Sequence, residues 1–296
     1  MLLAIEGTLQ VSHWCDLLQR MGVRESASRT LSVPSFRKGL LRTLVAKRLV
    51  KELRGHWYAC AWGVGAAVMR WAAENNKLGT AKQVLRQALG WGSMGIDTEV
   101  RIDIFANPDA AVAGLDRVFK VKPACAAEIA MESTAGHDPA WFRALPSDLR
   151  ARLLELTMIH LEQAILPRHE LYLAVAQDPS QLCDATDTAL RAFAGGAALR
   201  GDLDVLRRLT DVLPDAGARP MITVATALIA GRYDEALQEA ERLPRPKRGE
   251  HVGVLALLAC VALLRRTDAA GTSAGRPKRC ALRAPGSLPL DGLSAD

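Results

Sequence analysis

The sequence predicts a mainly α-helical chain, with a small basic module carrying one β-hairpin at its front, antiparallel helical hairpins behind it and an irregular tail. Three observations predict this. Ala, Leu and Arg are abundant while aromatic residues make up only 5% of the 296 positions, a composition that favours helix over sheet. Residues 1–62 hold ten Lys/Arg against four Asp/Glu, so this fifth of the chain carries the whole net charge of +6. Two glycine-centred segments, at Gly201 and Gly231, repeat with an offset of 30 residues.

Met1-Leu2-Leu3-Ala4 is an abrupt apolar start, shorter than a first helix should be, which places the natural start upstream. Residues 11–21 predict a helix with Ser12 as its cap, Trp14, Leu17, Leu18 and Met21 as its apolar face and Gly22 as its stop. Thr30-Leu31-Ser32-Val33 fits a short strand. A basic amphipathic helix follows, with Ser35 as N-cap after Pro34; Phe36, Leu40, Leu41 and Leu44 recur at helical spacing and are expected in a core. Ser35, Lys38 and Arg42 fall on the opposite side, at about 100° per residue around the helix. After Lys47-Arg48 the pattern changes. Residues 49–53 predict a strand, Arg54-Gly55 its turn and residues 56–60 the return strand.

A helix feeding a two-stranded wing is the second half of a winged helix-turn-helix, and residues 1–62 are read as that domain. A basic stripe on such a helix is an electrostatic footprint for nucleic acid; the bland alternative is a solvated Arg-rich surface. Ser35, Lys38 and Arg42, with Lys47 and Arg48 beside them, are expected at DNA phosphates or base edges, and Lys51 and Arg54 at an adjacent phosphate. Arg37 lies near the apolar arc, where its stem can pack and its head reach water. His56 reads as a solvated turn residue.

Residues 63–177 predict irregular helices. Val64, Val68, Met69, Trp71 and Ala72 make one pattern, residues 75–79 break it, and residues 80–89 make a second. Helix starts are expected at Asn107-Pro108-Asp109, at Pro123, at His137-Asp138-Pro139 and at Pro146-Ser147-Asp148, the last running to about Ile165. Ile102 to Phe105 fits a strand, and Asp97 to Phe105 fits an extended linker or a helix equally well.

Residues 178–266 carry the repeat. Gly201 and Gly231 each sit between an Ala-rich helix and an amphipathic one. Glycine permits the tight turn, small Ala lets helices approach, Tyr233 or Leu packs between them, and stacking buries what one hairpin cannot. Gly231, Tyr233, Asp234, Glu235, Ala236 and Leu237 resemble the inter-helix turn of the tetratricopeptide repeat (TPR), with Pro244 and Pro246 closing the second helix; Asn76 to Ala81 is a fainter copy. The array is therefore TPR-like, an α-solenoid. Residues 251–266 read as the first helix of another repeat without its partner, and residues 267–296, rich in Gly, Pro, Ser and Arg, as a disordered tail. An array ending on an unpaired apolar helix suggests a truncated or frame-shifted piece of a longer protein.

Other chemistry is not expected. The six cysteines are far apart with no CxxC, and no secretory signal opens the chain, so free thiols and a cytoplasmic location follow. The longest apolar run, residues 252–264, is shorter than the about 17 residues a bilayer span requires, so no membrane partner is expected. The six histidines make no metal pattern, and Gly90 to Gly95 lacks the Lys-Ser/Thr of a phosphate loop. Cys60, beside Trp57, Tyr58 and Trp62, reads as a packed thiol rather than a nucleophile. No catalytic constellation, metal, cofactor or small-molecule substrate is expected.

A winged helix, the connector His56-Trp57-Tyr58-Ala59-Cys60-Ala61-Trp62 and TPR-like hairpins, in this order, resemble the N-terminal regulatory region of large bacterial Swi/Snf-type DEAD/DEAH-box helicases. They also resemble the helical arrays of signal-transduction ATPases linked to transcription. The resemblance rests on Leu49-Val50 before the wing, Tyr58-x-Cys60 and the two Gly-turn repeats, and covers residues 1–265. In such helicases the nucleotide and translocation motifs lie further along the chain, and none stands here. The resemblance implies a non-catalytic regulatory or substrate-engaging role, with DNA on the winged helix and a protein partner on the array. The alternatives are a free-standing transcription regulator with a sensor array, and a pure interaction scaffold.

Overall fold

The front of the chain alternates short helices with short strands. A computed structural model describes residues 1–27, 29–89, 95–164, 169–182, 185–212 and 218–243, and shows α1 (Leu2–Glu6), β1 (Thr8–Gln10), α2 (Val11–Arg20), β2 (Arg24–Ser26), β3 (Arg29–Thr30), α3 (33–46), β4 (Val50–Glu52) and β5 (Trp57–Cys60). β5 pairs antiparallel with both β4 and β1, giving a three-stranded sheet in the order β1-β5-β4.

Four details differ from expectation. The cap of α2 is Gln10, not Ser12, because β1 runs straight into the helix. The third strand of the sheet is Thr8–Gln10, three residues long with only Leu9 buried, too short to leave a periodic signal. The strand before α3 covers Arg29–Thr30 and pairs with β2 in a separate ribbon. The N-cap of α3 is Ser32; Ser35 is the N3 member of a capping box, its N–H donating to Ser32 Oγ (3.3 Å) while Ser32 N–H donates to Ser35 Oγ (3.2 Å).

Inside α3, Arg37–Leu41 forms a π-turn. A π-turn bonds i to i+5 and inserts one extra residue, so Phe36 and Leu41 share the buried face while Leu40 is rotated out and 47% exposed. Phe36 packs edge-on against Trp14 of α2 at 5.2 Å, and Tyr58 of β5 lies 6.4 Å from the same indole. These side chains centre the core under the sheet.

The remainder is helical: α4 (Val64–Glu74), α5 (Leu78–Leu89), α6 (Ile96–Ala106), α7 (Pro108–Val121), α8 (Pro123–Ser133), α9 (Pro139–Ala144), α10 (Ser147–Ala164), α11 (Glu170–Gln177), α12 (Asp187–Arg200), α13 (Leu203–Val212), α14 (Arg219–Ile229) and α15 (Tyr233–Ala240). Proline opens α7, α8 and α9, where its missing N–H is not needed. α6 is a helix over the segment for which strand or linker was an alternative; Val100, Ile102 and Ile104 are all buried, which hides a one-sided helical pattern. α10, α12 and α14 pack in succession, with α13 and α15 folding back beside α14. Gly201 and Gly231 turn the two hairpins at φ 74° and 75°. Tyr233, expected between helices, is 44% exposed; it is the first residue of its helix, and the buried contact falls to Ala236 one turn on. No described helix is long and apolar enough to cross a membrane. The expectations for Gly90 to Met94, Pro244, Pro246, residues 251–266 and the tail lie outside the described residues.

The front and the helices meet at a polar joint. Trp62 Nε1 donates to both Glu170 carboxylate oxygens at 3.2 Å, and the Gly136 N–H donates to one of them at 3.3 Å. Burial pushes the Glu170 carboxyl up, but hydrogen bonds from its own backbone, Trp62 and Gly136 outweigh this and leave it below its ordinary value. A Cβ on Gly63 would stand 3.5 Å from the Gly136 backbone, so the two glycines let the chains touch.

Candidate nucleic-acid interface

Solvent-side positions of α3 and the β4–β5 hairpin make the candidate site. Lys38, Arg42, Lys47, Arg48, Lys51 and Arg54 are all exposed. Among the described residues none of the six has a carboxylate partner. The helical body differs: Lys82 meets Asp103 at 3.2 Å, Arg86 meets Glu99 at 2.8 Å, Arg152 meets Asp116 at 2.9 Å and Arg101 is paired with Glu132. Uncompensated positive charge on one small element pair is what an anionic surface is attracted to. Ser35 is half-buried with its hydroxyl in the capping box, so it sets the start of α3.

One contact fastens the two elements. Arg37 Nη2 donates to His56 Nδ1 at 2.7 Å, which puts the proton of neutral His56 on Nε2. His56 also lies 3.8 Å from Glu52, and Tyr58 Oη donates to the same Glu52 oxygen at 3.0 Å. The π-turn of α3 is thereby tied to the turn of the hairpin. Burial, and then the bond to Glu52, pushes the Tyr58 hydroxyl above its ordinary pKa, so it stays a donor at neutral pH. Arg37 itself is exposed, its head extending to His56.

Arg48 ends α3 in the left-handed region at φ 56°. Its N–H reaches Val45 O and the Leu49 N–H reaches Leu44 O, a closing turn in which glycine usually stands. The backbone strain sits on a cation of the candidate site.

Three exposed residues escaped the sequence reading of the site. Arg24 and Arg29 stand on the β2–β3 ribbon. Residues 23–30 carry no apolar alternation, so the sequence offered no periodic signal for this exposed ribbon. Trp57 is 44% exposed, on the sheet face opposite Tyr58. Strand alternation, with Tyr58 inward, would have found it.

Among the described residues no group of three or more His, Cys, Asp or Glu is arranged to hold a metal ion. Cys15, Cys60 and Cys125 are free, and burial pushes all three thiols up, the direction of packed rather than reactive sulfur. Comparison with family models, with curated proteins and with solved structures gives no match.

Proposed function

We propose that residues 1–62 act as a winged helix-turn-helix that lays α3 and the β4–β5 wing on a DNA backbone, and that the hairpins behind it are a TPR-like scaffold for a protein partner. The chain works by binding rather than catalysis, as the regulatory region of a DEAD/DEAH-box helicase-like protein, the setting its resemblance implies. The observation that carries the DNA reading is the Arg37–His56 contact. It holds helix and wing side by side, so that Lys38, Arg42, Lys47 and Arg48 from one and Lys51 and Arg54 from the other meet the same duplex. The element order and the sheet order β1-β5-β4 support the winged-helix reading, as does the packing of α2 on α3 through Trp14 and Phe36. The turns at Gly201 and Gly231 and the succession α10-α12-α14 support the solenoid reading.

Six phosphate contacts correspond to a slope of about −5 in log affinity against log salt. The test is fluorescence anisotropy of duplex DNA titrated with the full chain at two salt concentrations. Lys38→Ala/Arg42→Ala should weaken binding and flatten the slope by about 2. No binding by the unaltered chain at low salt would reject the DNA reading and move the search to protein partners.

A further inference from the structure

We propose that the outer face of the β1-β5-β4 sheet, centred on Trp57, is a stacking platform for an unpaired nucleobase, so that the nucleic acid this chain prefers is a duplex carrying a single-stranded end. The proposal rests on the DNA reading and specifies its substrate.

Register defines the platform. Tyr58 pairs with Leu9 and Glu52, and its ring points into the core beside Trp14. Its neighbours on β5 therefore face the other way. Trp57 pairs with Gln10, while Ala59 lies between Thr8 and Lys51. The outer face thus carries Thr8, Gln10, Lys51, Trp57 and the small Ala59, and Thr8, Gln10, Lys51 and Trp57 are all exposed. Trp57 is the large aromatic on that face, and no described ring is stacked on it. Its indole lies along the turn, within 3.7 Å of where a Gly55 Cβ would stand.

The charge around the ring selects the occupant. Lys51 shares the face and Arg54 sits in the adjoining turn, both exposed and without a carboxylate partner among the described residues. A flat π-surface beside unpaired cations suits a base whose own phosphates reach those cations. Within a duplex each base face is already stacked on its neighbour, whereas an unpaired base can swing out and offer its own face to the ring. α3 and the wing turn, joined through Arg37 and His56, hold the duplex next to the platform.

The test uses the full chain and three labelled DNAs of equal charge: a blunt duplex, a duplex with a short 3′ or 5′ overhang, and a single strand. The overhang carries 2-aminopurine, whose emission falls on stacking. The unaltered chain should bind an overhang duplex about five-fold or more tighter than the blunt one and quench the probe. Trp57→Ala should abolish the preference for the overhang and the quenching, and Trp57→Phe should retain part of both. Blunt-duplex binding without overhang preference, or preference that survives Trp57→Ala, overturns the platform and leaves the DNA reading intact. Failure to bind any of the three DNAs at low salt overturns both and leaves the face to a protein partner.

Discussion

Arg48 shows how much one residue can reveal. Left-handed backbone costs a non-glycine residue about 1–2 kcal/mol, yet a long cation occupies the closing turn of α3 at φ 56°. Arg48→Gly should relieve the strain and raise unfolding free energy by up to about 1 kcal/mol, after the greater chain entropy of glycine is subtracted. Urea denaturation measures that gain. The same variant should bind DNA less tightly, with a salt slope smaller by about 1. A gain in stability without loss of binding would remove Arg48 from the interface. His169 makes a second residue-scale case. Its Nδ1 accepts from Leu171 N–H at 3.1 Å, and its Nε2 lies 3.2 Å from Met131 O. Burial holds both His137 and His169 below their ordinary pKa. The unfolded chain therefore takes up protons first as pH falls below about 6.5, so stability declines through that region and is fully present above it. His169→Asn keeps a capping oxygen for α11 and removes one titrating ring. Its urea midpoints from pH 7.5 to 5.5 should fall less steeply than those of the unaltered chain.

At the scale of elements, local chemistry was legible and distant contacts were not. Proline and Asp138 mark the starts of α7, α8 and α9, and these signals act within one turn of chain. The hairpin over residues 50–60 announces itself by alternation and by Arg54-Gly55. The π-turn in α3 does not, because one extra residue changes the face of Leu40 without changing the composition of the segment. β1 is too short to read, and the Arg37–His56 contact joins residues 19 apart through a fold periodicity cannot supply. For the candidate site this means that Lys38, Arg42 and the hairpin cations could be nominated from charge, and the exposure of Trp57 from strand alternation, whereas the Arg37–His56 fastening needed the fold. The turns at Gly201 and Gly231 yield a prediction at this scale. Gly231 has φ 75° and no atom within 4 Å of an added Cβ, so Gly231→Ala meets backbone strain without a clash. It should cost about 1 kcal/mol, measured as a lower urea midpoint. Gly201→Ala, in the equivalent turn with equally open space, should cost the same. A near-zero cost at both would show that the turns can open without penalty.

Across the molecule, the decisive feature is that the front module does not close its own core. Leu2, Leu9, Leu17, Phe36 and Tyr58 belong to one buried cluster with Met69 and Ala72 of α4, Leu78 and Leu85 of α5, and Ile102 of α6. Trp62 and Glu170 then tie the connector to α11. Apolar contacts shared in this way are lost together, so the front module and the first helices behind it should unfold as one unit. Calorimetry tests the coupling. Duplex DNA at about 100 times its dissociation constant adds about 2.7 kcal/mol to the state that binds it, which for a body of this size raises the midpoint by about 5–10 °C. With a shared core that shift belongs to the transition that also contains α4 to α6. Met69→Ala, which alters none of the cations of the candidate interface, should lower this same transition by about 2–4 kcal/mol and leave the salt slope of binding unchanged. Two separate transitions, of which DNA moves only one and Met69→Ala only the other, would mean that the front module is carried by the helices behind it and not built into them. One transition moved by both would make the helical body part of the binding site's stability, so that a partner gripping the array alters DNA affinity by the same free energy with which DNA alters the partner's.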